Sequence, residues 1–294
     1  MNELAQRIAR RVAEDGAAQV APGLLFYRFS APVGPAYAIS TARFCVIAQG
    51  RKEVVLGTER YRYDADRYLL VSAGLPLVGH VIEASKDEPY LALGLSLDPG
   101  VVTAVLLESG LAPSRTNGDV RAVSVSTLDA SLLDAVVRLV RLLDSPTDYR
   151  VLAPLVVREI VYRLLMGDQG DRLRQIAVVD GRVHRIAKAI EILGKDRDKA
   201  LRVADIARQL GVSVSGLHSQ FKAVTGVSPL QFQKQLRLQE ARRLLLAGET
   251  DVARAGYRVG YEDASHFSRE YKRLFGEPPA RDVERLQGLT AARA

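Results

Sequence analysis

One arrangement of aromatic, glycine and proline residues occurs twice in the last third of the chain. The first copy is "LGVSVSGLHSQFKAVTGVSP" and the second is "VGYEDASHFSREYKRLFGEPP". The matched positions lie fifty residues apart: Phe221 with Tyr271, Gly226 with Gly276, and Pro229 with Pro279. Each copy predicts a short helix, a turn at glycine and a second helix held by its aromatic residue, which is a helix-turn-helix unit. The C-terminal part of the chain is therefore expected to be entirely helical.

A longer helix is predicted between the two units, in "SPLQFQKQLRLQEARRLLLAG". Ser228 is a good N-cap, Pro229 suits the first turn, and Gly248 ends the pattern. About 19 helical residues span ~28 Å. The second helix of such a unit normally enters the major groove of DNA, and successive grooves on one side of a duplex lie ~34 Å apart. The spacing thus predicts two helices that read neighbouring grooves.

The second helix of the first unit has an outward face of small or neutral side chains. Leu217 and Phe221 are expected to face the core, while Lys222 is placed to contact phosphate. The residues predicted to face the bases are Val214, Ser215, His218 and Ser219. None carries a carboxylate, which the phosphates would repel. Serine and histidine can hydrogen-bond base edges, and valine can pack on a thymine methyl group.

The second unit predicts an equivalent face. Phe267 and Tyr271 are expected to be its core anchors. The residues expected to project are Ala264, Ser265, Ser268 and Arg269, with Lys272 and Arg273 placed for phosphate. Arg269 can bridge guanine O6 and N7 or bind a phosphate. The alternative is that a small-residue face packs against another helix, but its occurrence in both copies favours DNA.

The net positive charge is confined to the same part of the chain. The formal charge is +7, and residues 180–294 carry all of it, whereas residues 1–179 are neutral. A basic domain beside a neutral one points to nucleic acid. The alternative is that the charge only serves solubility.

The region from about residue 20 to 98 is predicted to be β. Its short runs are rich in valine, leucine and tyrosine and are broken by glycine, proline and aspartate, which is typical of a barrel or sandwich. Helices follow from about 99 to 167, and the "GDQGDRL" stretch at 167–173 is interpreted as the domain boundary. The wide apolar faces of these helices need cover, either from their own β-region or from a second copy; we expect a homodimer.

At the duplicated motifs the chain resembles the C-terminal region of the AraC/XylS family of bacterial transcription regulators. Upstream, "FCVIAQGRKEVVLG", "YRYDADRYLLVS" and "EASKDEPYLALGLSLDP" resemble the N-terminal domain of one subgroup. The resemblance implies an α+β protein of two domains: an effector-sensing and dimerisation domain at 1–170, with a cupin-like β-barrel followed by helices, and a seven-helix DNA-binding domain at 180–290.

Two residues depart from the family pattern. Ser219 stands where the first recognition helix often has a larger basic or polar residue, so base reading there is expected to be weak or to depend on His218. Gly256 stands where a small alanine is usual. Because an interior glycine costs ~1 kcal/mol in a helix, we expect a less firm helix there.

The β-region has few residues suited to catalysis or metal binding. Metal-binding cupins use a His-x-His pair, a glutamate and a later histidine, whereas this segment has only His80, with Glu83 nearby. No phosphate loop, nucleophile elbow or HExxH motif occurs. The sequence predicts no catalytic residue, no metal and no cofactor. Cys45 and His80 are interpreted first as structural residues and second as candidates for contact with an effector in the barrel.

These observations predict a sequence-specific DNA-binding transcription regulator, either an activator or a repressor, controlled by a small-molecule effector. The expected partners are double-stranded promoter or operator DNA, the effector, RNA polymerase and a second copy of the chain. One cysteine, no long apolar run and no signal peptide predict a cytoplasmic protein at the nucleoid. The alternatives are a cupin-type enzyme, with or without metal, fused to a DNA-binding domain, and a protein-interaction module.

Overall fold

The computed structural model describes residues 2–57, 59–72, 74–111, 122–177, 182–195, 203–248 and 251–291. It divides into two compact units: Met1–Ala187 with Ala223–Gly226, and Lys188–Lys222 with Val227–Ala294. The first contains the strands and the second is helical, so the predicted α+β class with two domains is confirmed.

The strands of the first unit form two antiparallel sheets. The strands are β1 (Gly16–Ala21), β2 (Leu24–Phe29), β3 (Val33–Ser40), β4 (Arg43–Gln49), β5 (Arg51–Leu56), β6 (Glu59–Tyr63), β7 (Arg67–Val71), β8 (Leu75–Glu83), β9 (Tyr90–Ser96) and β10 (Val123–Thr127). One sheet has the order β1-β2-β9-β4-β7-β10 and the other β3-β8-β5-β6. In the first, Cys45 lies opposite Gly94; in the second, Val54 lies opposite Gly79.

The β-region is longer than the sequence predicted. It begins at Gly16, and β10 follows the first helix after the barrel segment and pairs antiparallel with β7. In β10, Val123 and Ser124 are both buried. A short strand buried on both faces does not show the alternation by which a strand is recognised, which explains why this one was missed.

The first unit contains the helices predicted from about residue 99 to 167, together with a helix before β1 and a last helix that was not predicted. They are α1 (Glu3–Arg11), α2 (Pro99–Glu108), α3 (Ala130–Arg141), α4 (Pro146–Met166) and α5 (Gly170–Ala177), with a 3₁₀ turn at Leu142–Asp144. The side chains of Asp98, Asp129 and Ser145 cap α2, α3 and α4. The stretch predicted as a boundary contains the start of α5. Its Leu173 is buried in the core of this unit, so the unit continues beyond that stretch.

The main core lies between the six-stranded sheet and these helices. Phe44 and Val46 of β4 are fully buried there together with Val136 and Leu139 of α3 and Ile160 of α4. The inner faces of α3 and α4 are thus covered by their own domain, which was one of the two alternatives. Within the described residues, no helix is both long and apolar enough to cross a membrane.

The described part of the chain from residue 182 onward is helical, as the sequence predicted. The helices are α6 (Arg182–Lys195), α7 (Val203–Gln209), α8 (Val214–Thr225), α9 (Pro229–Leu246), α10 (Val252–Arg258), α11 (Ala264–Phe275) and α12 (Pro279–Ala291). Ser228 caps α9 in a capping box, because its hydroxyl accepts from Gln231 N while the Gln231 side chain accepts from Ser228 N.

The sequence repeat is also a structural repeat. α8 and α11 each have twelve residues, and each is preceded by a side-chain cap, Ser213 or Asp263. Each helix is followed directly by a glycine with positive φ, 75° at Gly226 and 87° at Gly276, where a side chain would be strained. The two helix-turn-helix units therefore share one backbone design.

A buried ionic centre joins three helices of the second unit. Asp282 of α12 is fully buried and accepts hydrogen bonds from Arg242 Nε and Nη2 at 2.7 and 2.8 Å. It also accepts from Tyr271 Oη at 2.9 Å and Arg285 Nη2 at 2.6 Å. The Arg242 guanidinium in turn lies 4.5 Å from the ring centroid of Phe275. Burial raises the pKa of the Asp282 carboxyl, but the hydrogen bonds from Arg242 and Tyr271 outweigh burial and leave that pKa below its usual value.

Replacing Asp282 by asparagine should lower the free energy of unfolding by about 3–5 kcal/mol, because the buried Arg242 guanidinium would lose the carboxylate that accepts two of its hydrogen bonds. Urea unfolding followed by circular dichroism measures the loss. Since the pKa of the folded carboxyl is lowered, the wild type keeps this advantage at neutral pH. It loses it as the pH falls below the unfolded carboxyl value of about 3.9.

The control is Asp205→Asn, which removes the exposed ion pair with Arg208. It should cost about 0–1 kcal/mol. Equal losses in the two variants at neutral pH would contradict the role given to Asp282.

Candidate nucleic-acid interface and ligand cavity

The outward face of α8 is set by two buried side chains. Leu217 and Phe221 are fully buried, and the Phe221 ring packs edge-on against Phe232 of α9 with centroids 5.2 Å apart. The residues predicted to face DNA are all exposed on the other side: Val214, Ser215, His218, Ser219 and Lys222. The structure thus brings these five side chains together on one helix.

The same arrangement holds in α11. Phe267 and Tyr271 are fully buried, and the Phe267 ring packs against Tyr261 with centroids 5.3 Å apart. Among the predicted contact residues, the exposed ones are Ser265, Arg269, Lys272 and Arg273, and the half-buried ones are Ala264 and Ser268. The outward face of α11 is therefore smaller in its first turn and more basic in its last.

The cations of the two faces differ in whether they are already paired. Arg273 donates to Glu270 Oε1 at 2.7 Å, and Lys234 of α9 lies 3.2 Å from the other oxygen. Glu270 is buried, so its carboxylate lies on the inner side of α11. Within the part of the chain that is described, Lys222, Arg269 and Lys272 form no ion pair. No described carboxylate offsets the charge of these three side chains, so each is available to a polyanion.

The close packing of α10 against α11 explains why position 256 is a glycine. A Cβ at this position would lie 2.9 Å from Phe267 Cγ and 3.0 Å from Cδ1. Because Phe267 is fully buried, its ring cannot move aside easily. The protein therefore accepts the lower helix propensity of glycine here because any side chain at position 256 would collide with the buried Phe267 ring. The sequence pattern alone did not reveal this reason.

A cavity of about 230 Å³ lies between the two sheets of the first unit. Its lining is mostly apolar and includes the aromatic rings of Tyr27, Tyr63 and Tyr90. Burial raises the pKa of each of these phenols. Two basic side chains, Arg43 and Lys52, also line the cavity.

The two sequence candidates for effector contact lie on different faces. Cys45 lines the cavity, and burial raises the pKa of its thiol against the opposing effect of nearby Lys52 and Arg43. His80 lies on β8 between Gly79 and Val81, which both line the cavity. On the neighbouring strand β5, Glu53 lies opposite His80. Because successive strand residues point to opposite faces, His80 points away from the cavity. Burial lowers the pKa of its imidazole, and Glu53 opposes that shift.

Tyr27, Arg43 and Lys52 line the cavity but were not predicted as cavity residues. A signal was present, because Arg43 shares its strand face with Cys45, and Lys52 shares its face with Val54. A basic residue on the same strand face as inward-pointing apolar residues indicates a charged side chain that points into the interior. Both faces of β4 are apolar, however, so the pattern did not show which face held the cavity.

Comparison with protein families identifies both parts of the chain. Residues 20–172 match the model of the AraC-type transcriptional regulator N-terminus, and residues 206–285 match a helix-turn-helix domain. The chain belongs to the AraC-type transcriptional regulators. The family resemblance seen in the duplicated motifs is thus confirmed.

Its curated relatives include activators named RhaS. The HTH-type transcriptional activator RhaS of Escherichia coli O139:H28 is 41% identical over 78 residues, which cover 26% of this chain and 28% of that protein. RhaS of Salmonella agona is 32% identical over 160 residues, which cover 53% of this chain and 55% of that protein. The chain therefore matches about half or less of the length of these relatives.

Solved structures with a similar fold include ToxT from Vibrio cholerae. One ToxT structure matches with a TM-score of 0.57 at 13% identity, covering 88% of this chain and 97% of that chain. A second, of ToxT with bound unsaturated fatty acid, matches with a TM-score of 0.54 at 13% identity, covering 88% and 94%. At this identity the likeness establishes the fold.

Gly256→Ala should destabilise the protein despite the better helix propensity of alanine. The added methyl group overpacks against Phe267, which typically costs about 1–3 kcal/mol. Gly194→Ala in α6 is the matched control, since a Cβ there would meet no atom within 4 Å. This control should gain about 0.4–1 kcal/mol. Urea unfolding of both variants measures the two signs, and a gain at Gly256 would show that the close approach to Phe267 does not constrain this position.

Proposed function

We propose that the protein is a sequence-specific DNA-binding transcription regulator that places α8 and α11 in successive major grooves of one duplex. The observation that carries this proposal is the pair of equivalent helix faces, outward-pointing and without carboxylates, on a duplicated helix-turn-helix scaffold. Two such faces without a shared purpose would be an unusual coincidence. The basic charge of residues 180–294 supports the same conclusion.

The side chains of the two faces divide between bases and backbone. We assign base contacts to Val214, Ser215, His218 and Ser219 on α8, and to Ala264, Ser265, Ser268 and Arg269 on α11. We assign phosphate contacts to Lys222, Lys272 and Arg273. Since Arg273 is already held by Glu270, its contribution should be smaller than that of Lys272.

The first unit is proposed to sense a small molecule and to form a homodimer. An effector that binds one arrangement of this unit more tightly would shift the population of the dimer that is competent on DNA. The names of the relatives support an activator, for which RNA polymerase would be the downstream partner. Promoter or operator binding would place the protein at the bacterial nucleoid, in the cytoplasm.

An enzymatic role has less support than regulation. The relatives are named as transcriptional activators. Across the described residues, no group of three or more His, Cys, Asp or Glu side chains is placed to hold a metal ion. The β-unit is therefore proposed to bind its ligand rather than transform it.

The double variant Arg269→Ala with His218→Ala should bind a selected operator fragment less tightly, because both side chains are assigned to base edges. Removing one well-formed hydrogen-bonded pairing with a base should weaken binding by about 1–3 kcal/mol. The operator is obtained by selecting bound fragments from random DNA. Gel-shift titration at several salt concentrations then measures both affinity and salt dependence. Discrimination between the operator and random DNA should fall together with the affinity.

The control is Arg243→Ala, which removes an exposed arginine of α9 that is paired with Glu240. It should leave discrimination intact. If the double variant kept wild-type affinity and discrimination, the base-reading assignment would be wrong. If wild-type protein bound no duplex even at low salt, a protein-interaction module would replace the regulator.

The homodimer proposal depends on an exposed apolar stripe on α4, which we define as Val151, Leu155, Tyr162 and Met166. Their spacing of four, seven and four residues places them on one helix face. Leu155 is 60% exposed although the opposite face of α4 is buried in the core. A large apolar stripe that the described residues leave exposed suits a second copy.

Leu155→Asp should shift the protein from dimer to monomer at micromolar concentration, because an unpaired carboxylate would be buried at the centre of the interface. Analytical ultracentrifugation measures the change. Ile82→Asp, at another exposed apolar position, should leave the dimer intact. A wild-type protein that is monomeric, or a Leu155→Asp variant that is still dimeric, would remove the stripe from the interface.

A further inference from the structure

The cavity between the two sheets has cationic groups but no described acidic side chain in its lining. Arg43 and Lys52 both line it, while the remaining lining residues are apolar or carry only neutral polar groups. Charged side chains are costly to bury unless they are paired or hydrogen-bonded. Two cations in such a chamber therefore require an explanation that the described residues do not supply.

Arg43 is positioned but incompletely satisfied. Its Nη1 donates to Tyr27 Oη at 2.8 Å and its Nη2 reaches Thr41 Oγ1 at 3.4 Å. Its Nε is buried and has no hydrogen-bond partner among the described residues. Gly94 makes room for the side chain, since a Cβ there would lie 2.8 Å from Arg43 Cδ. The guanidinium is thus held in place with donor capacity to spare.

Lys52 enters the same chamber from the facing sheet. Its Nζ lies 5.5 Å from the ring centroid of Tyr27, and no described carboxylate pairs with it. Burial lowers the pKa of its ammonium group; nearby Cys45 opposes this shift and Arg43 adds to it. Tyr27 therefore contacts both cations, one through its hydroxyl and one through its ring.

We propose that this cavity binds a small apolar molecule with a single anionic group, such as a carboxylate, which pairs with Arg43 and Lys52, the two cations that contact Tyr27. A carboxylate can accept from a guanidinium and an ammonium at once, and such charge-assisted bonds are strongest where water is excluded. The apolar body would lie against the leucine, valine and tyrosine side chains of the lining. This assignment rests on the proposed function, because it names the chemical class of the effector.

The size of the cavity narrows the class further. A closed apolar cavity of about 150 Å³ takes up benzene, so about 230 Å³ suits a short fatty chain or one ring with a short arm. Suitable probes are hexanoate, octanoate and 3-phenylpropanoate. Each is compared with its carboxamide, which keeps the shape without the charge, and with the primary amine of the same chain, which reverses the charge.

Isothermal titration calorimetry of the full-length protein with these probes is the test. At least one carboxylate should bind, roughly ten- to a hundredfold tighter than its carboxamide, and no amine should bind. Arg43→Met and Lys52→Met should each remove most of this preference. The matched controls Arg67→Met and Lys86→Met change exposed cations that do not line the cavity and should leave it intact.

A second readout separates ligand binding from a structural role. Without ligand, Lys52→Met should unfold at a temperature no lower than that of the wild type, because it replaces a half-buried cation that has no described carboxylate partner by an apolar side chain of similar length. With a carboxylate present, the wild type should gain thermal stability and the variant should not. A lysine with only a structural role would instead lose stability without ligand.

The inference is overturned if no carboxylate binds, if the carboxamides bind equally well, or if the two methionine variants keep the preference. Gel shifts of the same proteins distinguish this failure from failure of the proposed function. If salt-dependent operator binding persists while no anion binds, only the effector class is wrong. If the wild type binds no DNA, the regulator assignment itself fails, whatever the cavity holds.

Discussion

The burial of one aromatic side chain in each recognition helix determines what the rest of that helix presents. Phe221 in α8 and Phe267 in α11 are fully buried, and each packs against another aromatic ring of its own unit. Because side chains three and four positions apart share a helix face, fixing these anchors turns the small and basic residues outward. The buried centre around Asp282 then ties α11 to α9 and α12, so the second recognition helix is held by both packing and charge.

The helical half could be predicted well from its sequence because its signals are local. The glycines that end α8 and α11, the cap of α9 and the aromatic anchors all act within a few residues. The β-half was harder, since strands pair over long distances and β10 is joined to β7 across a helix and residues 112–121. Cys45 was among the cavity candidates, but the cations beside it depend on which face of each strand meets the other sheet, and that is settled only by tertiary packing.

The cavity is a place where the sequence departs from what stability alone would select. A fold optimised for its own stability would place apolar side chains at positions 43 and 52, as it does at Val54 and Leu77 on the same inner surface. Natural proteins keep such costly groups where a ligand or a reaction needs them. No described carboxylate lies beside Arg43 or Lys52. Binding of an anionic ligand therefore explains these two cations better than a purely structural role does.

Only one strand, β4, lies between the cavity and the helical core that supports the proposed dimer interface. β4 presents Cys45 to the cavity on one face and Phe44 and Val46 to the helical core on the other. That core includes the inner face of α4, whose outer face carries the exposed stripe of Val151, Leu155, Tyr162 and Met166. Since close-packed interiors transmit small displacements rather than absorb them, a ligand that fixes Arg43 would act on β4 and, through β4, on the packing of α4. Coupling of this kind requires differential affinity of the ligand for two arrangements of α4. In the proposed homodimer, the strength of dimerisation would then depend on cavity occupancy and on the charge of the occupant.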